Sequence, residues 1–179
     1  MTSKRRIVIG QYPNGDIKRI SDETAQDIIT DKARPGYKSI KIWATMGSPA
    51  NFGNRAKEES DSYPHTLIPP KSGSMCRFVT IPPENEYINK VTREDVKNFY
   101  KSINSIELFS TKNSKHPYMH KKNSLDYIYV MKGSIVLILD EDQVLLNQGD
   151  TIVNLGGNHA WSNRTDSVCE LFISSHSGY

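Results

Sequence analysis

From residue 106 onward, short runs of alternating apolar and polar residues follow one another along the sequence. Turn-forming residues separate these runs at short, even intervals, among them Gly133, Gly149 and the Gly156-Gly157 pair. A period of two is typical of a strand with one buried face, and this spacing favours an antiparallel barrel or sandwich over βαβ units. We therefore predict an all-β fold with strands over 127–131, 135–139, 144–146, 151–153, 160–162 and 168–173.

The first half of the chain adds further strands. Residues 5–20 have the pattern of a hairpin, because the Asn14-Gly15 step supplies the positive φ that a tight turn needs. Turn signals that contain Pro and Gly bound two more predicted strands, over 37–45 and 75–81. Between residues 47 and 74 the chain is polar and rich in Pro, Ser and Gly, so we expect a long surface loop there.

One helix is indicated, near residues 92–104. Thr92 is a suitable N-cap residue, and Asp95 follows it three positions later. Apolar side chains then recur at helical spacing, which predicts one face that packs on a sheet. That face comprises Val96, Phe99, Tyr100 and Ile103.

Length and segment order indicate one structural domain. A chain of 179 residues falls within the usual size of a single domain. We expect residues 106–179 to form the barrel, and residues 1–105 to contribute the strands, long loop and helix that pack on it. The predicted architecture is an antiparallel barrel with an N-terminal strand extension and one short helix.

Composition argues against several functional classes. Lys and Arg total 23 against 20 for Asp and Glu, and a net charge of +3 is too weak a bias for a nucleic-acid-binding protein. The longest apolar run, residues 135–139, is far shorter than the roughly 20 residues that cross a bilayer, so we expect no membrane partner. The apolar stretch at residues 7–9 is too short for a secretory signal, and we expect a cytoplasmic protein. Cys76 and Cys169 form no CxxC motif, so no cysteine zinc site is indicated.

The main candidate chemistry lies in the histidines of the β-rich half. In an extended segment, strand alternation places His116, Tyr118 and His120 on one face. The same alternation places His159, Trp161 and Asn163 on one face of a later strand, and this set marks a candidate pocket. Asp126 opens the strand that follows His120. If these strands are neighbours, two imidazoles and one carboxylate converge as His120, His159 and Asp126, a ligand set that suits Fe, Mn, Ni or Zn.

The segment from 112 to 133 resembles the first motif of the cupins, G-x(5)-H-x-H-x(3,4)-E-x(6)-G. His120 matches the second histidine, and Gly133 matches the final glycine. Asp126 stands for the glutamate, one residue late. Tyr118 takes the place of the first histidine, and Lys112 that of the leading glycine.

The segment from 149 to 163 is similar to the second cupin motif, G-x(5)-P-x-G-x(2)-H-x(3)-N. Gly149, Gly156, His159 and Asn163 all match, while Asn154 stands where proline is usual. One motif pair corresponds to a small single-domain cupin. The resemblance implies a jelly-roll barrel, a pocket in its mouth and frequently a homodimer.

Structural interpretations of these residues stay open beside the functional ones. Asp126 could equally cap a turn, and Trp161 could be ordinary barrel core. His120 stands next to lysines that are typical of a solvated loop. The lysines around the histidine segment could steer an anionic substrate or simply protect a sheet edge. They are Lys112, Lys115, Lys121 and Lys122.

Two functions follow from this pattern. In the first, His120, Asp126 and His159 hold a divalent metal, and Tyr118 or His116 transfers protons during an oxygenase, isomerase or lyase reaction on a small oxygenated organic substrate. In the second, the protein is a metal-free binding or sensor module that keeps the pocket without the chemistry. The missing first histidine favours the second function, and fold alone does not choose between them.

Overall fold

Strands form most of the computed structural model, which describes residues 3–12, 14–53, 55–110 and 114–178. The all-β prediction is confirmed. The strands are β1 (Arg5–Gln11), β2 (Ile17–Thr24), β3 (Ile28–Thr30), β4 (Lys38–Thr45), β5 (Ser74–Ile81), β6 (Ser124–Lys132), β7 (Ser134–Leu139), β8 (Gln143–Asn147), β9 (Thr151–Leu155), β10 (His159–Ser162) and β11 (Cys169–Ser177). The helices are α1 (Ala56–Ser62) and α2 (Arg93–Ser102), with 3₁₀ turns at Glu84–Glu86 and Ile106–Leu108.

Two antiparallel sheets build the barrel. The larger sheet has the order β3-β4-β5-β11-β6-β9, and the smaller has the order β10-β7-β8. An isolated bridge between His120 and His159 adds the segment before β6 to the smaller sheet, beside β10. From residue 120 onward the chain passes back and forth between the sheets, because β6, β9 and β11 lie in the larger sheet and β7, β8 and β10 lie in the smaller one. This is the strand order of a jelly roll, as the sequence predicts.

Apolar side chains from both sheets meet in one core. Val130 of β6 and Leu171 of β11 have no exposed surface, and Ile135 of β7 packs against them from the smaller sheet. Helix α2 closes one side through its buried residues, Val96, Phe99 and Tyr100. The helix face predicted from spacing is therefore the face that packs on the barrel.

The boundary expected near residue 105 does not follow the sheets. Strand β5 lies between β4 and β11, and it pairs with β11 along its whole length, from Cys169 opposite Ile81 to His176 opposite Ser74. Residues before 106 therefore complete the barrel wall as well as packing around it. Within the described residues, the N-terminal half supplies β3, β4 and β5 to the larger sheet.

A second helix corrects the expectation of a single one. Helix α1 lies within the segment predicted as a long surface loop, and its residues show no apolar period because its inward contact is polar. The hydroxyl of Ser60, which is fully buried, accepts a hydrogen bond of 2.9 Å from the Ala44 N–H of β4. In the described part of the chain, neither helix has the length and apolar character needed to cross a bilayer.

Candidate functional site

The two motif histidines lie side by side. The N–H of each residue donates to the carbonyl oxygen of the other, at 3.0 Å from His120 and 2.9 Å from His159. Directly opposed residues of an antiparallel pair project to the same side, and the centroids of the two imidazole rings lie 4.6 Å apart. The two imidazoles that the sequence expects to converge are thus neighbours, and both line the same cavity.

The backbone bridge between His120 and His159 shows how the strands are divided between the two sheets. It places the 120 segment, β10, β7 and β8 in one sheet, against β5, β11, β6 and β9 in the other. The two segments that resemble the cupin motifs lie side by side in both sheets, with His120 beside His159 in the smaller sheet and β6 beside β9 in the larger one. This arrangement is that of a double-sheet jelly roll. The fold is of the cupin type.

In this cupin-type barrel, both imidazoles are held in a defined orientation. Nδ1 of His120 donates to the Tyr118 carbonyl oxygen at 3.0 Å, and Nδ1 of His159 donates to that of Gly157 at 2.8 Å. This arrangement leaves Nε2 of each ring as a lone-pair acceptor. Burial lowers the pKa of both rings, and the Lys122 ammonium lowers both further, so both are neutral at pH 7.

Asp126, the predicted carboxylate, is already neutralised by a lysine. It lies on the inward face of β6, where its Oδ2 is 2.6 Å from Nζ of Lys122 and its Oδ1 accepts a 2.9 Å hydrogen bond from Ser124. Burial by itself would raise the pKa of Asp126, but the Lys122 ammonium outweighs it and holds that pKa low. Burial, reinforced by Arg77, lowers the pKa of Lys122 to about 8.

Arg77 is the second buried cation at this point. It occupies an inward position of β5, with 3% of its surface exposed, and its electrostatic field reaches both Lys122 and Asp126. One Nη donates to the Leu67 carbonyl oxygen at 3.4 Å, while Nε has no hydrogen-bond partner among the described residues. Arg77 was not identified from the sequence as a site residue. Its position shares the period of two with Met75, Val79 and Ile81, which indicates that it lies on the buried face of β5.

Arg34 supplies a third buried cation, held by aromatic rings. Its guanidinium lies 3.5 Å from the ring centroid of Tyr118 and 4.0 Å from that of Tyr37, and its Nε donates to Asp31 at 2.8 Å. The Tyr118 hydroxyl also donates to Asp31, at 2.7 Å. Burial raises the pKa of Tyr118, so the hydroxyl stays protonated and engaged. The expectation that Tyr118 transfers protons to a substrate gains no support here, because its hydroxyl already donates to Asp31.

These groups enclose a cavity of about 50 Å³, which we call the barrel cavity. His120 and Trp161 are the members of its lining that stay partly exposed, so they mark its entrance. Its polar lining comprises Arg34, Arg77, His120, Lys122, Asp126 and His159. Its aromatic lining comprises Tyr37, Phe99, Tyr100, Tyr118 and Trp161.

Two other predicted residues do not line this cavity. His116 is buried, its Nδ1 accepts the Tyr118 N–H at 3.1 Å, and its Nε2 lies 3.6 Å from Glu84. Asn163 is also buried, and its amide donates to the carbonyl oxygens of Ile81 and Ser167 at 3.0 and 2.8 Å. Asn163 therefore joins β10 to β5 and shapes the fold.

Of the lysines considered for steering, Lys115 and Lys121 are exposed, while Lys122 is buried in the cavity wall. Lys112 lies outside the described residues.

The lining fits a divalent metal only in part. Two neutral imidazoles with free Nε2 atoms suit such an ion. The carboxylate does not, because Lys122 already occupies it and the Arg77 charge acts on the same point. A dication here would meet two buried cations with one carboxylate between them, which is electrostatically unfavourable. The residues as arranged therefore do not fit a divalent metal.

Sequence comparison gives a short match. No family model matches the chain. A stretch of 51 residues is 44% identical to two proteins of Diaporthe leptostromiformis, named phomopsin biosynthesis cluster protein C' and phomopsin biosynthesis cluster protein D. The match covers 28% of this chain and 27% of each relative, so the chain spans about a quarter of the curated relatives it matches.

Structure comparison returns cupins among its neighbours. The cupin domain of Schizosaccharomyces pombe Cnp3 has a TM-score of 0.46 at 7% identity, over 98% of this chain and 89% of that one. A putative ethanolamine utilization protein Q of Salmonella typhimurium has a TM-score of 0.45 at 9% identity, over 100% of both chains. A sugar phosphate isomerase of the cupin superfamily from Silicibacter pomeroyi has 0.42 at 13% identity, over 98% and 71%. The cupin-type fold of this chain rests on its own sheet order.

Proposed function

We propose that this cupin-type protein binds a small anionic, oxygenated organic molecule in the barrel cavity without a metal ion. The observation that carries this proposal is Arg77, a buried guanidinium in the cavity wall with no carboxylate partner among the described residues. The proposal corresponds to the metal-free binding module that the sequence leaves open.

The charges of the cavity balance except at this residue. Asp126 neutralises Lys122, and Asp31 neutralises Arg34. A buried charge without a partner is costly, so an anion that supplies one is bound favourably. A carboxylate suits Arg77 best, because its two oxygens match the fork of the guanidinium.

The rest of the lining supports a small ligand with polar and flat parts. The free Nε2 atoms of His120 and His159 accept hydrogen bonds from hydroxyl or enol groups. Trp161 offers a ring at the entrance for stacking. The volume of about 50 Å³ holds roughly four water molecules, so the ligand has few heavy atoms. The names of the two Diaporthe relatives refer to a biosynthesis cluster, which agrees with a small organic ligand.

A second candidate function, the metal-dependent enzyme expected from the motifs, is favoured by one observation. His120 and His159 are both anchored through Nδ1, the arrangement that orients metal-ligating imidazoles. In that case Asp126 would have to exchange Lys122 for the ion. Metal content therefore separates the two functions.

Ligand binding by purified protein tests the proposal. We expect acetate and pyruvate to raise the Tm and to bind in calorimetry, while acetamide does neither. Arg77→Met removes the unpaired charge and should weaken binding at least about tenfold, or 1.4 kcal/mol. Lys121→Met is the matched control, because it removes an exposed charge near the entrance and should leave affinity close to that of the wild type.

Two results would overturn the proposal. The first is equal binding of carboxylates by the wild type and by folded Arg77→Met protein, with folding checked by circular dichroism. The second is stoichiometric Fe, Mn, Ni or Zn in protein purified without chelator, lost in His159→Ala, which would establish the metal-dependent alternative. Substoichiometric metal in both the wild type and His159→Ala supports the proposal that the barrel cavity binds an anion without a metal ion.

A further inference from the structure

We propose that Lys122 forms a covalent iminium with the carbonyl carbon of a 2-oxo carboxylate bound in the barrel cavity. This inference rests on the proposed function, and it names the ligand class and a nucleophile. It adds a covalent step to a site that is described above only as a binding pocket.

The position of Lys122 is the first support. Lys121 and Asn123 on either side of it are exposed, whereas Lys122 turns inward, is 5% exposed and lines the cavity. Its Nζ lies 2.6 Å from Asp126 Oδ2 and 3.3 Å from the Ser175 hydroxyl. A lysine is almost never buried unless it is paired, and here its amine reaches the same cavity as the unpaired Arg77. A buried amine beside another cationic group is a usual setting of a Schiff-base lysine.

The relation of Lys122 to Arg77 selects the ligand. Arg77, Lys122 and Asp126 all line the barrel cavity, and both cations lower the pKa of Asp126. A carboxylate held by Arg77 would place the adjoining carbon of its ligand towards Lys122. In a 2-oxo acid that adjoining carbon is the carbonyl, so the electrophile lies beside the amine.

The covalent step balances without a further reactant. One ammonium proton passes to Asp126, which frees the Nζ lone pair. The lone pair attacks the carbonyl carbon and forms an N–C bond, while the carbonyl π pair takes up the proton from Asp126. Loss of water then breaks the C–O bond. In total, two of the three ammonium hydrogens leave in the water and the third remains on nitrogen. The iminium keeps the positive charge, so the ion pair with Asp126 is preserved.

Reductive trapping with pyruvate tests this inference on the full-length protein. Sodium borohydride reduces an iminium to a stable secondary amine, and peptide mapping by mass spectrometry locates the adduct. We expect the reduced pyruvyl adduct at Lys122 with an occupancy about tenfold above that at Lys121. Acetate has a carboxylate without a carbonyl, so it should suppress the adduct by competition.

Two variants sharpen the result. Lys122→Arg keeps a cation on Asp126 but has no nucleophilic amine, so the adduct should vanish; Lys121→Arg is its exposed control and should retain the adduct. The wild-type peptide map stays decisive even if Lys122→Arg does not fold. Pyruvate that binds without a preferential adduct at Lys122 overturns the iminium and leaves the proposed function intact. Pyruvate and acetate that both fail to bind overturn both.

Discussion

At the scale of single residues, burial decides which side chains of this protein carry charge. His65 is a clear case outside the cavity: its Nδ1 lies 3.1 Å from Asp27 Oδ1, and its Nε2 lies 3.0 Å from the hydroxyl of Ser39. Burial lowers the pKa of His65 to about 4, although Asp27 opposes the shift, and the nearby cations Arg77 and Lys41 add to it. His65 is therefore neutral in the folded protein at pH 7.

The depressed pKa of His65 predicts acid sensitivity. The unfolded chain takes up this proton near pH 6.5 and the folded chain only near pH 4, so the free energy of unfolding falls as the pH drops between these values. The contribution of His65 is on the order of 3 kcal/mol. Chemical denaturation at pH 7, 5.5 and 4.5 measures it, and His65→Gln should flatten the slope. His120 and His159 shift in the same direction in both proteins, so equal slopes for wild type and variant would contradict the prediction.

The site residues were predictable where the signal is local, and otherwise not. His120, Asp126 and His159 follow from motif spacing and strand alternation, and all three line one cavity. Two features could not be predicted: the ion pair between Asp126 and Lys122, and the position of Arg77 close enough for its charge to act on both of these residues. Lys122 and Asp126 are four residues apart, but whether they pair depends on the conformation of the loop before β6. The position of Arg77 depends on the pairing of β5 and β6 with β11, which the sequence does not reveal.

At the scale of elements, predictability followed the type of contact that each element makes. Strand β6 and helix α2 each bury one face, so a period in the sequence marks them. Strand β7 buries four consecutive residues, so a continuous apolar run marks it instead. Strand β3 is three residues long, which is too short to show alternation. Helix α1 packs on β4 through a serine hydroxyl, which no hydrophobic pattern reveals.

The N-terminus of α2 gives a prediction for this helix. The Thr92 hydroxyl accepts the Asp95 N–H at 3.2 Å, and the Asp95 carboxylate accepts the Thr92 N–H at 2.8 Å, which forms a reciprocal capping box. Thr92→Ala should lower the free energy of unfolding by about 1 kcal/mol, because the cap donor loses its partner. Urea denaturation measures the loss. Thr92→Ser keeps the hydroxyl and should retain most of the stability; a Ser variant as unstable as the Ala variant would show that the hydroxyl is not the cause.

At the scale of the whole molecule, stability is unevenly distributed. The β1–β2 hairpin forms its own two-stranded sheet, and none of the described residues in its strands is buried. Ion pairs join it to the rest of the chain, with Lys4 2.8 Å from Glu170 and Arg6 2.8 Å from Asp61. Isolated two-stranded ribbons are marginally stable, so this hairpin depends on such contacts.

Hydrogen exchange should show this difference. We expect the amides of β1 and β2 to exchange through local opening, well before those of β6 and β11, whose residues Val130 and Leu171 are fully buried. Native-state exchange followed by mass spectrometry resolves the two groups. Arg6→Ala removes a tether and should accelerate exchange in the hairpin while leaving β6 and β11 unchanged. Equal protection of hairpin and barrel would disprove the gradient.

The cluster of side chains around Arg34, which we call the Arg34 clasp, has a consequence for engineering. One guanidinium joins Asp31 and Tyr37 from the first third of the chain to Phe99 of α2 and Tyr118 beside the motif histidines. A graft of the motif-bearing half onto another scaffold would leave this clasp behind, together with the arginine of β5. Libraries intended to retune selectivity should therefore diversify the stretch around residues 31–37, far upstream of either motif.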